Sequence, residues 1–528
     1  MKLKNIFFVA VLALSLCSCS KTYMDTVPED AVSKGVILES ATNAKLAVNG
    51  LMRAMYRQYL STQGCNGEGT MKYWFSDWQA DDVHTVSYTG WANLWNSIYI
   101  ENSASMYNYY MWYYYYKLIV NANAIIVNID AATGDENEKK FIKAQALTMR
   151  AYSYLRLTEY YCPRYSEMQS HPQGIVLRLD ESTGDLAPSD QSKVYDQIFK
   201  DLDDAITLFK ASNLTAKDMY GSEGYVPSIK LAYGVYARAA LFTEKWDKAA
   251  DNAKLAREGY SLMSVDDYIN GGFSTPNAEW IFYNDGAATQ SLHYYGFFSY
   301  NGSNASSSAS RTYPKAISKT LYDQIPVTDI RRGMFQHPDS ITGMTDYTVT
   351  YKSGSPQQKE VIKKHPGKIY STSTVAAYMQ FKFQGQNGAY NIGDICNMRA
   401  SEMYLIEAEA QARLGKDSEA QRLLKELVKD SGRDPEFSTS LTGAALLEQV
   451  KLYRRIELWN EGFRWYDLKR YNEPRIRKSQ KEGGNFGASF CVNLQPTDKN
   501  HWVYVIPNRE KDYNKAFSAN ADPVKTEQ

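Results

Sequence analysis

Residues 237–249 read "ARAALFTEKWDKA" and residues 408–420 read "AEAQARLGKDSEA". Laid on one another, each is an Ala-rich helix end, a short turn, and a new helix opening toward an alanine. Small side chains at fixed spacing let two helix backbones approach closely. A hairpin of this kind buries its apolar face only by stacking on the next one. The segment 144–156 shares the Ala-rich half alone. The repeat predicts a mainly α chain of stacked helical hairpins.

The flanking sequence extends this tetratricopeptide-like pattern. Residues 37–60 set Leu46, Leu51, Met55 and Tyr59 at helical spacing. "MYNYYMWYYYY" (106–116) continues through "LIVNANAIIVNI" and is too long for a strand. As a helix it gathers Tyr109, Trp112, Tyr113, Tyr116, Val120 and Asn123 on one face and leaves Tyr110 and Tyr114 on the back, available to a partner. A second helix starts near Glu136, turns Ala144, Leu147, Ala151, Tyr154 and Leu155 inward, and stops at Pro163.

Two stretches break the pattern. Residues 64–105 open on the loop "GCNGEGT" and mix Trp, Asp and Gly without a clear period. Residues 265–395 alternate Gly, Ser, Thr and Tyr, as in "YNDGAATQSLHYYGFFSYNGSNASSSAS", and read as loops and short strands inserted between helical repeats. Irregular segments of this length in a compact domain often carry binding. The aromatics Tyr294, Tyr295, Phe297, Phe298 and Tyr300 argue against a disordered linker.

The chain has 528 residues and a formal net charge of zero, so nothing steers it to nucleic acid. It begins with Lys2 and Lys4 and an apolar run from Ile6 to Leu16, a signal peptide too short to span a membrane. Leu16-Cys17-Ser18-Cys19 follows and resembles a bacterial lipobox. Cys19 fits lipidation better than Cys17, which a bulky Leu precedes. Cys65, Cys162, Cys396 and Cys491 form no C-x-x-C, which excludes a zinc site of that type and leaves disulfide pairing open. No cofactor is expected.

Several stretches together resemble the SusD/RagB family of nutrient-binding surface lipoproteins. They are "RRIELWNEGFRWYDLKRY" (454–471), "NMRASEMYLIEAEAQARLG" (397–415), "VYVIPNRE" (503–510), "MDTVPED" after Cys19, "DIRR" (329–332) and "ANAII" (122–126). The chain departs from the family at its end, "AFSANADPVKTEQ", where Asn-Pro near a final Tyr is usual. The resemblance implies a SusD-like fold over 37–528, with helical repeats at about 37–264 and 396–471 and the insertion at about 265–395, preceded by a signal peptide (1–18) and a lipidated tether (19–36). It also implies capture of oligosaccharides for a SusC-like TonB-dependent transporter at the outer membrane, without catalysis.

By the same resemblance, Trp112, Tyr116, Ala122 and Asn123 are packing residues of the first repeat helix. Sugar-stacking rings are then expected in the irregular segment and the insertion: Trp78, Trp91, Trp95 and Tyr99, then Tyr294, Tyr295 and Tyr300, with Asp81 and Asn96 pairing hydroxyls. Glu457 and Glu461 suggest acid–base chemistry, but the alternation with Arg454, Arg464 and Arg470 reads as a structural ion-pair network. Peptide capture on the same scaffold, a repeat scaffold that binds only proteins, and glycoside hydrolysis by two carboxylates about 5–10 Å apart are the competing readings.

Overall fold

The structure, a computed structural model, describes residues 38–86, 91–170, 172–286, 296–386, 392–498 and 502–517. Its body is built from α1 (Ala41–Ala54), α2 (Met106–Asn128), α3 (Glu136–Tyr161), α4 (Gln191–Ser212), α5 (Ile229–Phe242), α6 (Trp246–Arg257), α7 (Ala400–Arg413), α8 (Asp417–Lys425), α9 (Gly443–Glu457) and α10 (Arg464–Tyr471). From α2 to α8 each helix packs on the next in chain order, and α7 also packs on α9. α6 meets α7 directly, so the chain between them is looped out of the stack.

The two copies of the repeat turn alike. Glu244 (φ 57°) and Gly415 (φ 71°) occupy the same place and are both left-handed. One residue on, Lys245 N–H donates to Ala240 C=O at 2.8 Å and Lys416 N–H to Gln411 C=O at 2.9 Å. Ala239, Ala240, Ala249, Ala408, Ala410 and Ala420 are buried, as close helix approach requires.

The strands are short. β1 (Val83–Thr85) pairs with β5 (Lys315–Ile317), β2 (Gln173–Val176) with β3 (Pro188–Asp190), β4 (Trp280–Asn284) with β6 (Ile395–Arg399), and β7 (Arg475–Arg477) with β8 (Val492–Leu494), all antiparallel. β4 and β6 bracket the excursion between α6 and α7, with Asn284 opposite Ile395. Among the described residues no helix is long and apolar enough to cross a membrane.

α2 corrects the reading of its faces. Tyr110, Tyr114 and Tyr115 are fully buried, while Val120, assigned to the inner face, is half exposed. The Tyr114, Tyr115 and Tyr152 hydroxyls all donate to the buried carboxylate of Glu68, and Tyr110 donates to the Gly67 carbonyl. The back of α2 is therefore covered by the 64–72 segment and is not open to a partner. Trp112 is buried as expected, its indole N–H donating to Glu510 at 2.9 Å.

The Glu457–Glu461 motif is an ion-pair centre, but with partners other than those of its own stretch. α9 ends at Glu457, so Glu461 lies in the turn and no helical spacing relates the two. Glu457 accepts from Arg331 (2.8 Å), Arg399 (2.7 Å) and Arg433 (3.0 Å), and Glu461 from Arg399 (2.7 Å) and Lys382 (2.6 Å). Arg454, Arg464 and Arg470 pair instead with Asp467, Asp81 and Glu409. Burial alone would raise the Glu457 pKa; the three guanidiniums outweigh it and hold it well below the carboxylate range.

Candidate aromatic binding site

The irregular segment is fixed from two sides. Gly64 (φ +84°) turns the "GCNGEGT" loop so tightly under Trp74 that a Cβ would meet its ring at 1.8 Å. A π-helical turn, Tyr73–Asp77, follows, and the buried Asp77 carboxylate accepts from Gly462 N–H (2.6 Å) and Arg464 N–H (2.9 Å). Burial pushes the Asp77 pKa up to about 7. From β7, Arg475 donates to Gln79 C=O at 2.6 Å and to the Ser97 hydroxyl, and Arg477 to the carbonyls of Trp78, Ala80 and Trp95 at 2.7–2.8 Å.

This framework brings most of the anticipated rings together. Trp78 and Trp95 stack face to face at 4.7 Å, and Trp74 also stacks on Trp78 at 5.6 Å. Trp91 lies 4.3 Å from Trp74, and the buried Tyr300 meets Trp74 edge-on at 4.8 Å. Tyr107 joins Trp91 (5.9 Å) to Tyr99 (5.0 Å). Lys315 places its ammonium 5.0 Å from the Trp78 ring. Trp78, Trp95 and Tyr300 are buried in these contacts and form the base of the cluster, whereas Trp91, Tyr99 and Tyr107 are partly buried and keep some exposed surface.

The polar residues separate. Asn96 is exposed beside the cluster, and its side-chain amide makes a long contact to Ser489 C=O at 3.5 Å. Asp81 is buried and held by Arg464 at 2.7 Å, so its oxygens are turned to that pair and not to a surface ligand. Tyr294, Tyr295 and Cys19 lie outside the described residues. Beside Asn96 a pocket of about 420 Å³ opens, walled by residues 96–98 and 100–103 and by Trp465, Arg475, Leu494 and Trp502. Its C-terminal wall escaped the sequence reading; the i,i+2 arginines of "RIR" (475–477), one strand face, were the signal.

The remaining chemistry is plain. Glu457 and Glu461 are buried and saturated by cations, which leaves neither poised as a general acid. Cys65, Cys162, Cys396 and Cys491 are all free thiols, and burial pushes Cys162 and Cys396 up to about 12. Among the described residues no cluster of His, Cys, Asp or Glu is placed to hold a metal ion.

The family model described as "SusD family" matches residues 240–526. The chain belongs to the SusD family. A second family model, described as "Starch-binding associating with outer membrane", matches residues 29–241 of this SusD-family chain. A search of curated proteins returns no match. Solved structures share the SusD fold. A SusD-like carbohydrate binding protein from Bacteroides vulgatus is 22% identical, with 92% of this chain and 99% of that chain covered and a TM-score of 0.71. A SusD superfamily protein from Bacteroides thetaiotaomicron is 21% identical over 91% of this chain and 99% of that one, with a TM-score of 0.72. One from Bacteroides fragilis is 21% identical over 91% and 100%, with a TM-score of 0.67.

Proposed function

We propose that this SusD-family chain captures oligosaccharides at the cell surface and passes them to a SusC-like TonB-dependent transporter, held to the outer membrane by a lipid on Cys19. The observation that carries the reading is the aromatic cluster. A buried stack, Trp74–Trp78–Trp95, supports partly buried rings at Trp91, Tyr99 and Tyr107, with the amide of Asn96 alongside. A pyranose offers an apolar C–H face to a ring and hydroxyls to an amide, so rings held rigid at the surface suit it. The starch-binding description of the second matched family supports the same ligand class, and its outer-membrane wording supports the location. The role is binding without turnover.

The test measures melting temperature and calorimetric affinity for a glycan that wild type binds. Trp91→Ala and Tyr99→Ala are expected to melt near wild type and to lose about 2 kcal/mol of binding each, the scale of one central aromatic anchor. Unchanged affinity in both variants overturns this placement of the site. Capture of peptides and of no glycan transfers the cluster to the peptide-binding reading.

A further inference from the structure

We propose that the pocket beside the β7–β8 ladder is a subsite for an acidic sugar, whose carboxylate or sulfate ester is recognised by Arg475. The inference rests on the glycan-capture reading and adds a ligand class to it.

Arg475 sits on β7 opposite Leu494 of β8, and both line the pocket. It is only 3% exposed. A guanidinium this deep normally faces a carboxylate, because burial of an uncompensated charge is expensive. Arg150 with Asp201 and Arg238 with Glu402 follow that rule. Among the described residues Arg475 has no acidic partner within 4.0 Å; its bonds go to the neutral oxygens of Gln79 and Ser97, and its Nε has no acceptor. Asp81 is the acid whose charge reaches it, and Arg464 already holds Asp81 at 2.7 Å. Burial, with Arg477 as a second positive neighbour, pushes the Arg475 pKa down to about 9, the mark of a cation short of counter-charge.

The surroundings suit a sugar. Trp465 and Trp502 flank the guanidinium, with ring centroids 5.9 and 5.6 Å away. Their indole N–H groups are buried and have no acceptor among the described residues. Asn96 supplies an exposed amide at the rim. A volume of about 420 Å³ is within the ordinary range for small-ligand pockets. Glu101 opposes an anion, but it stands on the exposed rim, where water and salt screen it more than they screen Arg475.

The experiment is calorimetry of the soluble domain on matched pairs. One arm sets galacturonate, alginate and glucuronoxylan oligosaccharides against their carboxyl-reduced forms. The other sets sulfated oligosaccharides against their desulfated forms. In at least one arm the acid form is expected to bind about tenfold more tightly than its neutral counterpart. Arg475→Gln is expected to abolish that preference. Because Arg475 also anchors Gln79 and Ser97, Asn102→Asp provides a variant that leaves the wall intact. Asn102 is exposed and its side-chain oxygen accepts from Ala104 N–H at 3.1 Å, a bond that Asp keeps. It is expected to weaken the acid form about threefold and leave the neutral form unchanged. Equal binding of acid and neutral forms in both arms overturns the inference and leaves glycan capture standing. A preference that survives both variants also overturns it. Binding of no sugar in either form removes glycan capture and this subsite with it.

Discussion

Arg399 and Arg475 are almost equally hidden, 1% and 3% exposed, yet they keep opposite electrostatic company. Arg399 touches Glu279, Glu457 and Glu461 at 2.6–2.7 Å. Arg475 touches a main-chain carbonyl and a hydroxyl. The first arrangement closes on itself: every charge is answered, and the cluster ties α9, β6, the residue before β4 and the chain before α9 into one block. The second is open, with a positive field on the wall of a pocket. Burial alone therefore does not separate these two arginines; the groups that answer their charge do.

The largest expected effect breaks the closed cluster. Glu457→Ala strips the carboxylate from Arg331, Arg399 and Arg433 together, and a loss of about 3–5 kcal/mol in chemical denaturation is expected. A loss under about 1 kcal/mol would erase the distinction drawn here. Arg477→Gln acts on the other region. It removes bonds to the carbonyls of Trp78, Ala80 and Trp95, and the expected cost is about 2–3 kcal/mol, smaller because the acceptors left behind are neutral. The same variant should loosen the Trp78–Trp95 stack, read as a change in near-ultraviolet circular dichroism. The smallest effect lies outside both regions. Glu244→Gly relieves a left-handed residue where the sister turn has Gly415, and a gain of about 1 kcal/mol is expected in thermal melts.

The body of the fold was legible because it repeats. Two Ala-rich turns of equal length, read 237–249 and 408–420, gave the hairpin, and its backbone bonds recur residue for residue. Which tyrosines of α2 face inward was not legible. α1, α3 and the 64–72 segment surround that helix, so burial on nearly all sides erases the one-face period. The ion-pair network at Glu457 and Glu461 was legible but its partners were not, since Arg331, Lys382, Arg399 and Arg433 come from other parts of the chain.

The site was half legible. An aperiodic stretch dense in Trp marked the region, and Trp78, Trp91, Trp95, Tyr99 and Tyr300 do assemble. Which rings keep an open face depends on stacking partners that no local pattern encodes. Asp81 was taken by Arg464, and the wall of the pocket came from Arg475, which is 378 residues from its partner Ser97. Contacts at that separation leave no trace in a local window.

The rung that joins Asn284 to Ile395 has a further consequence. It returns the chain to the stack where it left, and further ties at β5, Arg331 and Lys382 divide the excursion into shorter loops. Closure entropy grows only logarithmically with contour length, and doubling such a loop costs only about 0.6 kcal/mol. Lengthening its exposed turns therefore barely taxes the helical stack, and the surface they present is free to diverge while the scaffold under it stays the same.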